Sequence, residues 1–301
     1  MPGIPDSPGV EPARSGFVDV NRTRLRVWEW GDEHDLPIVC LHGAYDHGRM
    51  WDGFAPRLAA LGYRVVAPDL RGHGDSGRIG SGMMWNASAL DIACLARDLG
   101  PPIGIVGHSF GGGQALYAAG VWPELFRWVV NIDGLGPPSE AFVEDDIVEM
   151  ATRCVTAADR VLCSPPRRYA SPEEMVERRQ GVNVRLPAKW TRHLVAHGSR
   201  PAGNDGWVWK ADPLFGVGFP GEFDIEHLHA EHEQVTVPVL VLTGAEHDTW
   251  SDLSADELEQ RLEHLRDARH VVVENAGHYI HIEQPDAVLA AIAAFLDEVG
   301  R

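Results

Sequence analysis

A serine flanked by glycines, at the junction of a predicted strand and a predicted helix, constrains this chain more than any other feature. The apolar run at residues 103–106 predicts a buried strand, and residues 114–121 have a helical pattern. Between them, residues 107–111 read Gly-His-Ser-Phe-Gly and match Gly-x-Ser-x-Gly. A turn this tight leaves no room for a Cβ at the glycines and exposes the serine hydroxyl at the edge of the sheet. The pattern therefore predicts that Ser109 is a nucleophile.

A histidine that can act as the base follows another predicted strand near the C-terminus. Residues 271–273 are three valines, and Asn-Ala-Gly-His-Tyr follows at 275–279. His278 thus lies on a loop beyond the C-terminal end of a strand, where the catalytic groups of α/β proteins gather. The chain has 15 histidines, so this context and not the residue type selects His278.

A serine–histidine pair needs a carboxylate that orients the imidazole and stabilises its protonated form. Asp248 follows the predicted strand at 238–243 and lies between the serine and the histidine, in the order Ser…Asp…His. Two alternatives remain. Asp133 follows the predicted strand at 127–132, and Glu246 lies two residues closer than Asp248 to its strand end. We expect Asp248 to be the acid.

Strand and helix patterns alternate along most of the chain, which predicts an α/β fold with a mostly parallel sheet flanked by helices. The eight predicted strands lie near residues 17–20, 24–30, 37–41, 64–68, 103–107, 127–132, 238–243 and 270–274. Helical patterns lie near 51–61, 85–98, 111–121, 254–265 and 284–298. The gap at 138–232 is too long for an ordinary loop, and Ser-Pro-Glu-Glu at 171–174 is a helix start within it.

These motifs together resemble the α/β-hydrolase superfamily over residues 17–299. Leu-His-Gly at 41–43 and Pro-Asp-Leu-Arg-Gly-His-Gly-Asp-Ser at 68–76 add to the resemblance. It implies that an oxyanion hole is formed by two main-chain N–H groups, those of Phe110 and Ala44. The implied triad chemistry requires no cofactor and no metal ion.

In this superfamily a lid or cap is commonly inserted at the position of the long gap. We therefore expect a helical cap at 138–232 over Ser109, a core formed by 15–137 and 233–301, and a flexible leader at 1–14. An apolar substrate pocket is expected, although core packing is an equally good reading of its candidate side chains. These candidates are Met84, Trp85, Trp207, Trp209 and Phe215.

The resulting hypothesis is a serine hydrolase that cleaves a carboxylic ester, thioester or lactone through an acyl-enzyme intermediate. Its partner would be a small-molecule substrate with an apolar acyl or alcohol part. A serine at the elbow argues against the haloalkane dehalogenase and epoxide hydrolase relatives, which use a carboxylate there. One alternative is a cofactor-free lyase, perhydrolase or acyltransferase. The other is a ligand receptor with little turnover. The chain is weakly similar to the serine hydrolase-like subgroup.

A second motif competes with the serine. Residues 227–232 read His-Leu-His-Ala-Glu-His, close to the H-x-H-x-D-H of metallo-β-lactamase-like hydrolases. No apolar strand precedes the segment and the usual supporting ligands are not apparent, so we expect no metal site there.

Charge and composition restrict the kinds of molecule that this protein is expected to bind. A net charge of −18, from 44 acidic and 26 basic residues, argues against nucleic acid and anionic membrane surfaces. The N-terminal residues do not resemble a signal peptide, no run reaches transmembrane length, and the four cysteines show no paired spacing. We expect a cytoplasmic monomer or homodimer.

Overall fold

The computed structural model describes residues 8–80, 84–141, 147–203, 206–217, 224–250 and 253–300. Its strands are β1 (Arg14–Val20), β2 (Thr23–Trp30), β3 (Leu36–Leu41), β4 (Tyr63–Pro68), β5 (Ile103–His108), β6 (Phe126–Ile132), β7 (Ser199–Pro201), β8 (Trp207–Trp209), β9 (Val239–Gly244) and β10 (Ala268–Val273). Eight of them form one sheet in the order β1-β2-β4-β3-β5-β6-β9-β10. The pairs β1–β2 and β2–β4 are antiparallel and the remaining pairs of this sheet are parallel.

The helices of the described ranges are α1 (Ala55–Ala59), α2 (Met84–Leu99), α3 (Phe110–Val121), α4 (Ile147–Leu162), α5 (Pro172–Val182), α6 (Ala188–Gly198), α7 (Ile225–Glu233), α8 (Ala255–Glu263), α9 (Ile280–Glu283) and α10 (Pro285–Val299). Short 3₁₀ helices occupy Gly48–Gly53, Pro123–Leu125, Ser139–Ala141 and Pro213–Val217. None of the helices placed in these ranges is both long enough and apolar enough to cross a membrane.

The predicted eight-stranded, mostly parallel sheet is confirmed. Its central strands are buried on both faces, so they appear in the sequence as continuous apolar runs. Side chains alternate between two core clusters. In β3, Ile38 and Cys40 join the cluster that contains Trp51 and α10, while Val39 and Leu41 join the cluster that contains α2 and α3.

The long insertion between β6 and β9, residues 138–232, is called the cap segment below. It contains α4, α5, α6, the β7–β8 ribbon and α7. The predicted helix start is present, because the Ser171 side chain accepts a hydrogen bond from the Glu174 N–H. The last helix, α7, packs against the core helix α3: a Cβ on Gly120 would lie 3.3 Å from the Glu231 carbonyl oxygen.

Part of the predicted flexible leader is docked on the core. The Val10 N–H donates to the Asp52 carbonyl at 2.9 Å, and the Trp30 Nε1–H donates to the Val10 carbonyl at 3.0 Å. The Glu11 carboxylate lies 2.8 Å from Arg49 Nη2. Residues 9–11 thus satisfy polar groups of the core, and β1 begins at Arg14, inside the predicted leader. Residues 1–7 lie outside the described ranges.

The turn between β5 and α3 shows why glycines flank Ser109. Ser109 itself has φ 53° and ψ −121°, a conformation that L-residues rarely adopt. A Cβ on Gly107 would lie 2.2 Å from the Gly111 carbonyl oxygen, and a Cβ on Gly111 would lie 2.5 Å from the Leu41 carbonyl oxygen. Backbone therefore fills the space that either side chain would need, as the sequence pattern predicted.

Replacing Gly107 by alanine should destabilise the protein by about 1–3 kcal/mol or more, because the new methyl group meets backbone that cannot move aside. The matched control is Gly181→Ala in α5, where an added Cβ meets nothing within 4 Å. That change should stabilise by up to about 1 kcal/mol, because alanine loses less backbone entropy in a helix. Urea unfolding measures both. Equal stability of the two variants would contradict this account of the turn.

Candidate active site

The candidate site lies at one edge of the sheet. β5, β6, β9 and β10 are successive parallel neighbours, so their C-terminal ends meet at the same edge. Ser109 follows β5, Asp133 follows β6, Asp248 follows β9 and His278 follows β10. The side chains that the sequence selected therefore come from four adjacent strand ends.

Ser109 is held in place by main-chain hydrogen bonds. Its N–H donates to the Ile132 carbonyl at 2.9 Å, and its carbonyl accepts from the N–H groups of Gly112 and Gly113 at 2.8 and 3.1 Å. Ser109 and His278 both line one cavity. The serine is thus fixed at the start of α3 and faces the space that the histidine also borders.

The His278 imidazole makes a short contact with Asp133. Nδ1 of His278 lies 2.6 Å from Oδ2 of Asp133, and the two side chains are 7% and 11% exposed. Asp133 has a left-handed φ of 50°, and its N–H donates to the Leu242 carbonyl at 2.8 Å. The strand pairing of β6 and β9 therefore continues through Asp133, which fixes this carboxylate at the strand end.

Asp248 occupies a different position from the one that the chain order predicted. Its Oδ2 accepts a hydrogen bond from the main-chain N–H of His278 at 3.3 Å and not from the ring. A Cβ on Gly277 would lie 2.7 Å from the same oxygen, so the carboxylate packs against the backbone of the histidine loop. Glu246 is exposed, with its carboxylate 3.8 Å from Arg185. The alternative acid Asp133 contacts the imidazole, and Asp248 holds the loop.

The two segments expected to supply the oxyanion hole lie beside the elbow. Phe110 is the first residue of α3, and Ala44 lines the cavity next to Gly43. A Cβ on Gly43 would lie 3.3 Å from the Ser109 Cβ and 2.9 Å from Nδ1 of His108. The loop after β3 therefore packs directly on the nucleophile turn.

A polar network that sequence reasoning missed joins the cap segment to the site. Oη of Tyr279 lies 3.2 Å from Oδ2 of the buried Asp46, and Arg179 of α5 pairs with the same carboxylate. Arg179 Nη2 also lies 3.4 Å from the Tyr279 oxygen. Burial and the Asp46 carboxylate raise the pKa of Tyr279, so the phenol stays a donor. No local motif indicates this network, because its members lie far apart in the chain.

A cavity of about 790 Å³ lies between the core and the cap segment, and Ser109 and His278 line one side of it. Five side chains were expected to line the cavity, and Trp209 is one of the residues that line it. Trp85 and Phe215 instead pack against Phe110, with ring centroids 5.6 and 5.1 Å away, and Trp207 packs against the buried cluster that contains Tyr169. These aromatic side chains complete packing of the cap segment and α3. Met84 begins α2, and its side chain lies outside the described part of the protein.

Buried histidines surround the candidate site. Burial lowers the pKa of His42 to about 4 and the pKa values of His73 and His281 to about 3, and it lowers the pKa of His108 well below its usual range. His42 has a structural role, since its Nε2 accepts the Leu70 N–H at 2.8 Å. His108 lies at the back of the site, with Nε2 2.9 Å from the His278 carbonyl oxygen. These imidazoles are neutral near pH 7.

The three histidines of the H-x-H-x-E-H segment lie on α7, and their side chains have different surroundings. His227 pairs with Glu231 at 3.2 Å, and His229 stacks on His264 with ring centroids 4.0 Å apart. His232 is buried, and burial together with the Arg261 charge lowers its pKa to about 3. The three histidines therefore have different partners.

Another cluster offers donor atoms of the kind that bind metals. Single ligand atoms of Asp52, His193 and His197 lie within 4.8 Å of one another. However, Arg49 Nη2 lies 2.6 Å from the Asp52 carboxylate, which His193 Nε2 also approaches at 3.1 Å. The Arg49 guanidinium already neutralises the Asp52 carboxylate, and the cluster joins the Gly48–Gly53 helix to α6. The expectation of a metal-free site stays a prediction.

Comparison with known proteins identifies the family of the chain. The model of the Alpha/beta hydrolase family matches residues 38–291, so the chain belongs to that family. It is 26% identical to Esterase Rv0045c of Mycobacterium tuberculosis over 295 residues, which covers 96% of this chain and 90% of that protein. It is 27% identical to the 2-(acetamidomethylene)succinate hydrolase of Mesorhizobium japonicum over 282 residues, 93% of this chain and 94% of that one.

Solved structures share the same fold. The thioesterase domain from the curacin biosynthetic pathway superposes with a TM-score of 0.79 at 22% identity, over 93% of this chain and 98% of that domain, and this likeness shows the fold alone. The structure of an E-2-(acetamidomethylene)succinate hydrolase gives a TM-score of 0.74 at 27% identity, over 94% and 99% of the two chains. The chain is thus a hydrolase-family protein whose relatives include esterases.

The buried histidines predict acid sensitivity of the fold. His281 stacks on Trp51 at 4.6 Å, and neither of its ring nitrogens has a hydrogen-bond partner among the described residues. Its pKa in the folded protein is about 3 against an ordinary value of 6.5. Below about pH 6.5 the unfolded chain therefore binds a proton that the folded chain excludes, and stability is lost as the pH falls towards 3.

We expect His281→Phe to reduce the loss of unfolding free energy between pH 6 and pH 4 by up to about 1.4 kcal/mol per pH unit. Urea unfolding at several pH values measures this slope. His34→Gln is the control, because the His34 side chain is 88% exposed and its replacement should leave the slope unchanged. An unchanged slope in His281→Phe would show that His281 is protonated in the folded state.

Proposed function

We propose that this protein is a serine hydrolase that cleaves a carboxylic ester, thioester or lactone through an acyl-enzyme intermediate. The observation that carries the proposal is the 2.6 Å contact of His278 Nδ1 with Asp133, beside a cavity that Ser109 also lines. Relatives named as an esterase and a hydrolase support the same class of reaction. The alternatives, a triad enzyme that does not use water and a receptor with little turnover, have no comparable support.

In the first half-reaction the Ser109 Oγ attacks the substrate carbonyl carbon. The neutral His278 imidazole accepts the hydroxyl proton on Nε2 and then donates it to the leaving alcohol or thiol. Asp133 accepts the hydrogen bond from Nδ1–H, which fixes the tautomer with Nε2 unprotonated and stabilises the imidazolium. The strained elbow keeps the hydroxyl at the cavity surface throughout.

The developing oxyanion is stabilised by two main-chain N–H groups, those of Phe110 and Ala44. Their fixed dipoles are in place before the charge develops, so no reorganisation accompanies the reaction. In the second half-reaction His278 removes a proton from water, the hydroxide attacks the acyl carbon, and the proton returns to Ser109 as the acid leaves. The cap segment, residues 138–232, bounds the cavity in which this takes place.

Asp248 acts on this chemistry as a positioning residue. Its carboxylate accepts the His278 main-chain N–H at 3.3 Å and leaves the ring to Asp133. The histidine loop is also held by Glu283, whose Oε1 accepts the Gly277 N–H at 3.1 Å. Two carboxylates thus fix the backbone of the loop while a third fixes the imidazole.

Ser109→Ala should lower kcat on 4-nitrophenyl esters by about 10⁴- to 10⁶-fold without unfolding the protein, because the triad members act as a unit. The matched control is Ser164→Ala, a second serine at the cavity wall whose hydroxyl donates to the Arg160 carbonyl. It should retain activity of the wild-type order. Turnover that survives in Ser109→Ala and falls in the control would overturn the proposed nucleophile.

The two aspartates give a second test. Asp133→Asn should lower kcat by about 10⁴-fold, because the amide favours the wrong imidazole tautomer. Asp248→Asn should lower it less than about tenfold, because an amide oxygen still accepts a main-chain N–H. Both variants keep their size, so steady-state kinetics on one ester separates the two roles. The reverse ranking would assign the acid to Asp248.

A further inference from the structure

The cavity wall carries a charge opposite to that of the whole chain. The net charge of the protein is −18. Among the described lining residues, the charged side chains are two aspartates and five arginines. They are Asp46, Asp212, Arg78, Arg167, Arg178, Arg179 and Arg200. Most of the remaining lining is apolar, as the sequence predicted, so the charged groups stand out from it.

Two of the five arginines have carboxylate partners. Arg179 pairs with Asp46, and Arg178 Nε donates to the Glu174 carboxylate at 3.0 Å. The remaining aspartate, Asp212, is buried, and its two carboxylate oxygens accept main-chain N–H groups at 3.1 Å each. Both aspartates of the cavity wall therefore already have partners within the protein.

Arg78, Arg167 and Arg200 have no carboxylate within 4.0 Å in the part of the chain that the structure describes. Arg78 Nη1 donates to the Lys210 carbonyl at 3.0 Å, and the Arg167 guanidinium lies 5.3 Å from the centre of the Tyr169 ring. All three residues are exposed. Their positive charges are thus available to a ligand in the cavity.

The three arginines come from different segments of the chain but lie around the β7–β8 ribbon. Arg200 lies in β7 opposite Val208 of β8, and Val208 also lines the cavity. Arg78 bonds to the residue that directly follows β8, and Tyr169, which Arg167 covers, exchanges two main-chain hydrogen bonds with Trp207 of β8 at 2.9 and 2.8 Å. Three cationic side chains therefore surround the β7–β8 ribbon at one wall of the cavity. Arg167 and Arg200 belong to the cap segment, and Arg78 belongs to the loop after β4.

We propose that the substrate carries an anionic group, a carboxylate or a phosphate, which the three arginines around the β7–β8 ribbon bind while the scissile carbonyl reaches Ser109. This inference rests on the proposed function and adds the substrate class to it. Guanidinium groups match the geometry of carboxylate and phosphate oxygens through paired N–H donors. A cavity of about 790 Å³ has room for a substrate that spans both ends.

The test uses two esters that differ in one charge. 4-Nitrophenyl hydrogen succinate carries a free carboxylate, and methyl 4-nitrophenyl succinate is its neutral counterpart. We expect kcat/KM to be at least about tenfold higher for the acid at low ionic strength, because exposed cations steer anionic ligands. Addition of 1 M NaCl should bring the ratio towards one. Equal rates, or a preference for the neutral ester, would overturn the proposal.

Variants of the three arginines test whether these side chains cause the preference for the anionic ester. Arg78→Gln, Arg167→Gln and Arg200→Gln combined should lower the ratio of the two kcat/KM values at least about fivefold, as expected from three exposed pairs. Arg192→Gln is the control, because Arg192 is exposed on α6 and is not among the lining residues. It should keep the wild-type ratio. A ratio that the triple variant retains would overturn the assignment to the ribbon.

Binding measurements distinguish failure of the proposed anion site from failure of the proposed reaction. If neither ester is hydrolysed, the proposed function fails, and calorimetry with glutarate, glycerol 3-phosphate and neutral dimethyl glutarate still tests the anion site. Binding of either anion that is tighter than that of the diester, and is lost in the triple variant, supports the site and indicates which anion it prefers. Binding of neither anion, or binding that the triple variant retains, overturns it.

Discussion

The hydrogen bond between Asp133 and His278 depends on the strand order of the sheet. β6 lies between β5 and β9, so the residue after β6 is a neighbour of the nucleophile turn, and its carboxylate contacts the imidazole that the loop after β10 brings in. The Asp133 N–H continues the β6–β9 pairing, and this main-chain hydrogen bond fixes the position of the carboxylate. Asp248, one strand further out, meets the backbone of the His278 loop.

The sequence is sufficient to predict features that depend on local pattern. Buried parallel strands appear as apolar runs, and the elbow at Ser109 requires glycines for steric reasons, so both could be found without coordinates. The acid could not be assigned in this way. Asp133 and Asp248 each follow a strand, and only the long-range packing of the loops after these strands shows which carboxylate meets the imidazole. Aromatic residues of the cap segment were likewise ambiguous, because packing and pocket lining require the same side chains.

Several polar contacts join the cap segment to the core. Arg179 pairs with Asp46, His193 lies 3.1 Å from Asp52, and Arg185 Nε lies 2.9 Å from Glu283, which also holds the histidine loop. Because most of these side chains are buried, breaking one pair would leave a charge without a partner. The cavity wall is therefore positioned relative to Ser109 by specific polar contacts, and Arg167 and Arg200 of the cap segment are held on this frame.

The central claim is that Ser109 is an activated nucleophile that reaches the cavity. Labelling with a fluorophosphonate tests it most directly, because the probe reacts with an activated serine irrespective of the natural substrate. Peptide mass spectrometry of the labelled protein should locate one phosphonate adduct on Ser109, and prior heat denaturation should abolish it, because activation requires His278 and Asp133 in place. An adduct on another residue, or hydrolysis of esters by protein that the probe leaves unlabelled, would contradict the account.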